Sequence, residues 1–396
     1  MKILAIETSC DDTSVALIEA QKEKIVSFRV LANIISSQVK IHKIWGGVYP
    51  ALAMREHQKN LIPVFEKVLQ ESGLLNSRNS AKEKKLKKEI KNIKKILERE
   101  PKLLNDFLKL VLKTEKSRID LISITNGPGL EPCLWVGVNF AKALSSFWKI
   151  PLIPVNHIEA HIYANFINNF LLLKDKKQIF PTICLIVSGG HTQLILMQDF
   201  GKYKILGETR DDAAGECLDK IARILGLEYP GGPIVEGEAK KFKRRKSKFK
   251  IKLPRPMIHS KDYDFSFSGL KTAVLYDFKK RDVKVQKNRN YIQEMCFESQ
   301  KAIIDVLIKK TLKAAKDYSA KTIILGGGVS ANQELRKQIK KTVKEYLPSV
   351  NLSIPDSIYC TDNAVMVGVS SYFKYLKNKK ESWKKIKADS NLRLDK

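Results

Sequence analysis

Apolar residues run in short blocks broken by polar turns at two places along the chain, and the two places match. In KILAIETSCDDTSVALIE (2–19) an apolar run, a polar tip and a second apolar run predict a β-hairpin. TICLIVSGGHTQLILMQ (182–198) repeats that design. Downstream of each hairpin a buried strand runs into a glycine turn, in IDLISITNGPGL (119–130) and KTIILGGGVSAN (321–332). Helical patterns follow, VGVNFAKALSSFW and QELRKQIKKTVKEYL. Hairpin, strand, glycine turn and helix thus recur in one order, which predicts an α/β fold of two duplicated lobes with a cleft between them. The expected division is 1–178, 179–360 and a C-terminal helix and tail over 361–396, with a connector near 170–181.

Three segments interrupt the repeat. Residues 77–117 are lysine-dense, and Leu86, Ile90, Ile93 and Leu97 fall at helical spacing, predicting an amphipathic helix that packs one stripe. KKFKRRKSKFKIK (240–252) interleaves basic residues with aromatics, a pattern suited either to a solvated surface or to phosphate contact with base stacking. The last stretch, KNKKESWKKIKADSNLRLDK, reads as a basic, partly disordered tail.

Charge sharpens this picture. Lys and Arg number 72 against 42 Asp and Glu, a formal net charge of +30, which favours a polyanionic partner such as nucleic acid. The six cysteines lie far apart with no C-x-x-C pair, which fits a reducing compartment better than a disulfide or zinc framework. No apolar run approaches a membrane span, so the expectation is a soluble, cytoplasmic protein.

Candidate chemistry begins at NHIEAH. His157 and His161 stand four apart, on one face of a helix, where both imidazoles can reach one ion. The H-E-x-x-H proteases place Glu directly after the first His; Glu159 is two on, about 200° round the helix, and cannot act as base beside the metal. A third ligand is offered by Asp362 of YCTDNA, whose alternative role is to cap the apolar helix that follows. Four glycine turns, GPGL (127–130), SGGHT (188–192), YPGGP (229–233) and GGGVSAN (326–332), can bring backbone N–H groups to a phosphate and together suggest a nucleotide-like ligand. The polar tip Ser9–Thr13 fits the phosphate end of that cleft. Asp211 and Asp212 are expected to cap the helix they precede, and Asp219 is a candidate acceptor for ribose hydroxyls.

These motifs resemble one family, the tRNA N(6)-adenosine threonylcarbamoyltransferases, formerly described as O-sialoglycoprotein endopeptidases. The matching segments are IETSCDDTS, GGVYPALAMREH, GPGLEPCLWVG, NHIEAH, VSGGHTQL, TRDDAAGECLDK, YPGGP, LPRPM, DFSFSGLKTAV, GGGVSAN and CTDNA, in the family's order and across nearly the whole chain. The opening and CTDNA are closest to its bacterial and organellar branch. The resemblance implies an actin-like, sugar-kinase-like fold. It also implies transfer of a threonylcarbamoyl group from L-threonylcarbamoyladenylate to the N(6) amine of adenosine 37 in tRNAs reading ANN codons. By the same resemblance, His157, His161 and Asp362 ligate a divalent ion, iron first and zinc or magnesium as alternatives. Ile186, Val187, Ser188, Gly189, Gly190, Asp219, Gly232 and Asn332 contact the adenylate. Glu236 stands near the ribose where many relatives carry Asp, and Asp11 matches an acid at the mouth of the site. The implied partners are a paralogous actin-like subunit and a small ATPase. The competing readings are a metalloprotease built on the histidine pair and a non-catalytic nucleotide-binding scaffold.

Overall fold

The structure is a computed structural model that describes residues 1–22, 25–75, 87–113, 118–168, 176–242, 248–377 and 382–395. Both predicted hairpins form. Strands β1 (Lys2–Glu7) and β2 (Asp12–Lys22) pair antiparallel from Lys2↔Glu19 to Glu7↔Ser14. With β3 (Val26–Ser37), β4 (Leu121–Gly127) and β5 (Leu152–Asn156) they make a sheet ordered β3-β2-β1-β4-β5. The second sheet contains β6 (Thr182–Val187), β7 (Thr192–Asp199), β8 (Lys202–Glu208), β9 (Thr322–Gly326) and β10 (Asn351–Ser353), ordered β10-β9-β6-β7-β8. Each sheet thus has an antiparallel three-strand meander whose first strand also pairs parallel with the next lobe strand. The sequence repeat is a repeat of topology.

Strand burial explains why the apolar blocks are continuous rather than alternating. Leu4 and Ile6 of β1 face an outer core with Leu61, Phe65 and Phe140, while Ile3 and Ala5 face a second core. That second core also holds Cys184, Ile186 and Ile195 of the other sheet, so both faces of β1 and β6 are covered.

The first sheet is dressed by α1 (Val39–His42), α2 (Pro50–Glu71), α3 (Lys87–Ile96), α4 (Pro101–Lys113), α5 (Glu131–Trp148) and α6 (His157–Tyr163). After α7 (Lys176–Ile179) come α8 (Ala214–Ile224), α9 (Gly231–Lys241), α10 (Ser268–Lys280), α11 (Val283–Gln286), α12 (Arg289–Asp317) and α13 (Gln333–Tyr346). The last helix, α14 (Ala364–Leu376), returns to the first sheet, where Ser14 Oγ accepts Ala364 N–H at 2.9 Å.

Three expectations change. The lysine-dense insertion contains two helices rather than one, with Pro101 opening the second, and Ile93, Leu97, Leu103 and Phe107 are fully buried in the first core. Leu86 and the rest of 76–86 and 114–117 lie outside the described residues. In 240–252, Phe242 packs on Phe297 and Phe249 on Tyr291, and Phe249 lies against the core of the second lobe, so these rings turn toward the protein; 243–247 lie outside the described residues. The C-terminal stretch over 382–395 is docked, not free: Ile386 is buried in the first core. Its backbone meets the ends of β4 and β5, where Asn126 O accepts Asp389 N–H at 2.8 Å and Leu392 O accepts from Asn156 Nδ2 at 3.2 Å.

Candidate functional site

Asn156 ends β5 and starts α6. Its side-chain oxygen accepts the N–H groups of Ile158 at 2.8 Å and Glu159 at 3.2 Å, an N-cap that fixes the first turn of the helix on which both histidines ride. The His157 and His161 rings lie 4.6 Å apart, centroid to centroid. Asp362 joins them from just before α14, its Oδ1 3.3 Å from His161 Nε2 and 3.6 Å from His157 Nε2. The neighbouring Asn363, not Asp362, caps α14 by accepting Met366 N–H at 3.1 Å, which leaves the Asp362 carboxylate for the histidines.

The group fits a metal ion. One ligand atom from each of His157, His161 and Asp362 lies within 4.8 Å of the others. His161 is wholly buried; its Nδ1 has no hydrogen-bond partner and its Nε2 meets only the Asp362 carboxylate at 3.3 Å, outside hydrogen-bond geometry, an expensive arrangement for a polar group unless a cation completes it. Two imidazoles and one carboxylate suit a first-row divalent metal and leave coordination positions open.

Behind His157 stands Glu7, a residue the sequence reading did not single out. It is fully buried at the end of β1, with Oε2 3.2 Å from His157 Nδ1 and accepting from Thr125 Oγ1 at 2.6 Å. Its Oε1 accepts Ser9 N–H at 2.6 Å. Such a carboxylate favours the Nδ1–H tautomer and turns Nε2 toward Asp362. Burial alone would lower the His157 pKa, but the Asp362 and Glu7 carboxylates prevail and push it up to about 9. Burial holds His161 below its ordinary value. Burial would raise Asp362, but the two histidines hold it well below the usual carboxylate range.

The polar tip between β1 and β2 is positioned by α2. His57 is fully buried, its Nε2 2.9 Å from Cys10 O and its Nδ1 2.7 Å from Thr13 Oγ1. A carbonyl can only accept, so Nε2 carries the proton and Nδ1 accepts from the threonine. Burial lowers the His57 pKa to about 4. Asp11 is half-buried on this tip, and burial together with the Asp362 charge raises its carboxyl. Asp12 is pushed up to about 7 by burial and the Asp11 and Asp362 charges.

The glycine turns divide into two kinds. A Cβ added at Gly189, Gly190, Gly232 or Gly328 would meet nothing within 4 Å, so these backbones border open space into which a ligand could fit. Gly127 and Gly129 are different: a Cβ on Gly127 would run into the Asp389 carbonyl, and one on Gly129 would come within 2.6 Å of Ser9 O. GPGL is therefore a close-packing turn for the C-terminal segment and the hairpin tip, not a phosphate cradle.

Around the open turns, Ser188 O accepts Gly215 N–H at 3.1 Å, tying α8 to the β6–β7 turn. Asp219 Oδ1 accepts Gly231 N–H at 2.7 Å and Gly232 N–H at 3.3 Å, so it shapes the YPGGP turn. The side chains of Ile186 and Val187 are buried core. Asn332 caps α13 through Leu335 N–H at 2.9 Å and donates to Gln300 Oε1 at 2.8 Å, and Glu236 accepts Gln333 N–H at 2.8 Å beside it. Next to the open glycines, the His191 ring lies 6.5 Å from that of His157, which makes the glycine turn and the His157–His161–Asp362 group neighbours. Asp211 departs from expectation: it binds the N–H groups of Phe267 and Ser268 at the start of α10, not its own helix. Glu159 faces the other way, accepting from Tyr203 O–H at 2.9 Å, so the cluster has no protease-type glutamate base at that position.

The chain is similar to known proteins of one family. The family model for tRNA N6-adenosine threonylcarbamoyltransferase matches residues 29–78 and 94–369. A protein of that name from Syntrophomonas wolfei is 41% identical over 94% of this chain and 92% of its own length. One from Thermosipho africanus is 41% identical over 99% of this chain and 98% of its own. One from Persephonella marina is 38% identical over 100% of this chain and 96% of its own. Among solved structures, full-length HypF in the phosphate- and nucleotide-bound form superposes with a TM-score of 0.50 at 11% identity, over 96% of this chain and 56% of that one, which shows the shared fold.

Proposed function

The chain belongs to the tRNA N6-adenosine threonylcarbamoyltransferase family, and we propose that its cleft joins an activated threonylcarbamoyl group to a tRNA adenosine. The protein is a transferase that modifies tRNA. The observation that carries the finer reading is the His157–His161–Asp362 cluster lying beside the open Ser188–His191 turn. In this reading the donor is L-threonylcarbamoyladenylate and the acceptor is the N(6) amine of adenosine 37 in tRNAs reading ANN codons.

The open backbones of Gly189, Gly190 and Gly232 receive the adenylate, with Asp219 holding the third in place. The lone pair of the adenine amine forms the new N–C bond at the carbamoyl carbon, and the C–O bond to phosphate breaks, AMP leaving with its electron pair. The family resemblance offers Asp11 as the acid that would accept the amine proton. His157, His161 and Asp362 would hold a divalent ion, iron(II) before zinc or magnesium, which when bound supplies Lewis-acid polarisation of the carbamoyl oxygen. Because the mixed anhydride is already activated, positioning supplies most of the rate.

The two sheets support treating 1–178 and 179–360 as lobes, with 361–396 returning to the first. The family resemblance supports a paralogous actin-like subunit and a small ATPase as partners, and a cytoplasmic setting where tRNA is found. The test is nucleoside mass spectrometry of unmodified tRNA incubated with this chain, its partners and L-threonylcarbamoyladenylate. Threonylcarbamoyladenosine at one adenosine is expected; its absence with active partners would contradict the assignment.

A further inference from the structure

Among the described residues, most aromatic side chains point inward, and Trp45 and Tyr49 do not. Trp45 is 65% exposed and Tyr49 54%, their rings stacked with centroids 5.8 Å apart and planes 25° from parallel. Exposing two large rings is unfavourable unless something covers them. The loop that carries them is nevertheless well anchored. His42 is buried, its Nε2 3.1 Å from Gln38 Oε1 and its Nδ1 accepting Tyr49 N–H at 3.3 Å. From the second lobe Arg223 donates to Gly46 O, and Glu228 pairs with Lys43 at 2.6 Å. Gly46 turns with a φ of +64°, which favours glycine.

The position relates the rings to the cleft. Arg223 lies one turn of α8 beyond Asp219, whose carboxylate shapes the Gly231–Gly232 turn, so the loop leans on the helix that borders the proposed adenylate site. The segment is basic: beyond Lys43, which Glu228 engages, Lys40 and Arg55 are exposed near the rings in sequence, on a chain of net charge +30.

We propose that Trp45 and Tyr49 form a stacking platform for an unpaired base of the tRNA loop flanking the acceptor adenosine. This rests on the tRNA-modifying function argued above. Flat, exposed rings on a basic segment complement a splayed nucleotide: the base stacks on the ring face, and Lys40 and Arg55 are the cations the segment offers to flanking phosphates. Any base offers a π-face, so the platform positions the loop and leaves sequence discrimination to other contacts.

The experiment titrates fluorescently labelled, unmodified tRNA transcript against the full chain assembled with its partners. Wild type is compared with Trp45→Ala, Tyr49→Ala and Trp45→Phe at several salt concentrations. Alanine at either position should weaken tRNA binding by roughly fivefold or more, with the slope of log affinity against log salt unchanged. Phenylalanine should restore most of the binding, and donor KM and thermal stability should stay at wild-type values. Alanine variants that bind tRNA within about twofold of wild type would overturn the platform while leaving the modifying function standing. So would loss of the partner subunit with tRNA affinity retained, which would make the patch a protein interface. A wild-type assembly that neither binds nor modifies tRNA would defeat the underlying function together with the platform.

Discussion

His161 and Asp362 stand 201 positions apart in the chain and 3.3 Å apart in the fold, Nε2 to Oδ1. The contact exists because α14 crosses back to the first sheet and Asn363 takes over the capping of that helix. Asp362→Asn keeps the size of the side chain but removes one of two charges that balance His157. Elemental analysis of the purified variant should show metal occupancy reduced by at least about tenfold at equal metal supply. Retention of the ion at wild-type stoichiometry would remove Asp362 from the ligand set.

Glu7 acts through His157. Glu7→Gln retains a hydrogen-bond acceptor and donor but loses the charge that orients the imidazole. A metal affinity reduced by about 10- to 100-fold is expected from the loss of such a partner, measured by competition with a chelator. Because the ligands themselves remain, excess metal should recover activity in Glu7→Gln and not in His161→Ala.

His57 makes stability depend on pH. Its folded pKa of about 4 lies below the ordinary 6.5, so the unfolded chain takes up this proton first as pH falls. Its contribution is fully present above pH 6.5, declines between about 6.5 and 4, and is flat below. The decline amounts to at most about 3 kcal/mol. Denaturant unfolding across that window should show a shallower pH dependence in His57→Gln than in wild type. Identical slopes would mean that His57 is not buried in its neutral form.

Gly127→Ala tests the docking of the C-terminal segment. The added Cβ would run into Asp389 O, and Gly127 already sits at a φ of +154°. Ile386 and Trp383 should lose their place against the first core, exposing residues 382–395 to limited proteolysis while the α14 helix stays protected. Because Leu392 O receives Asn156, which caps the histidine helix, metal affinity should also fall. Unchanged cleavage would show that the segment is held elsewhere.

The residues differ in how readily their roles could be read from sequence, for physical reasons. The hairpins and the i, i+4 histidines are local patterns, so period and spacing revealed them. Glu7 was hidden because an acid ending an apolar strand looks like the start of a turn; its meaning comes from His157, 150 positions away. Gly127 and Gly129 were read as a phosphate turn because sequence shows that a backbone must be approached closely, not whether a ligand or another stretch of chain approaches it. Phe242 and Phe249 resembled a stacking surface for a similar reason: a basic, aromatic pattern does not reveal which way the rings turn. Trp45 and Tyr49, in a short glycine-containing motif, gave no such pattern.

The central claim is that the His157–His161–Asp362 cluster serves threonylcarbamoyl transfer to tRNA. It is tested most directly by single-turnover nucleoside mass spectrometry, with metal-loaded wild type and His161→Ala each supplied with partners, L-threonylcarbamoyladenylate and unmodified tRNA. The account predicts threonylcarbamoyladenosine with wild type and a rate lower by about 100-fold or more with His161→Ala, at equal tRNA affinity. Equal product formation by the two proteins would contradict it.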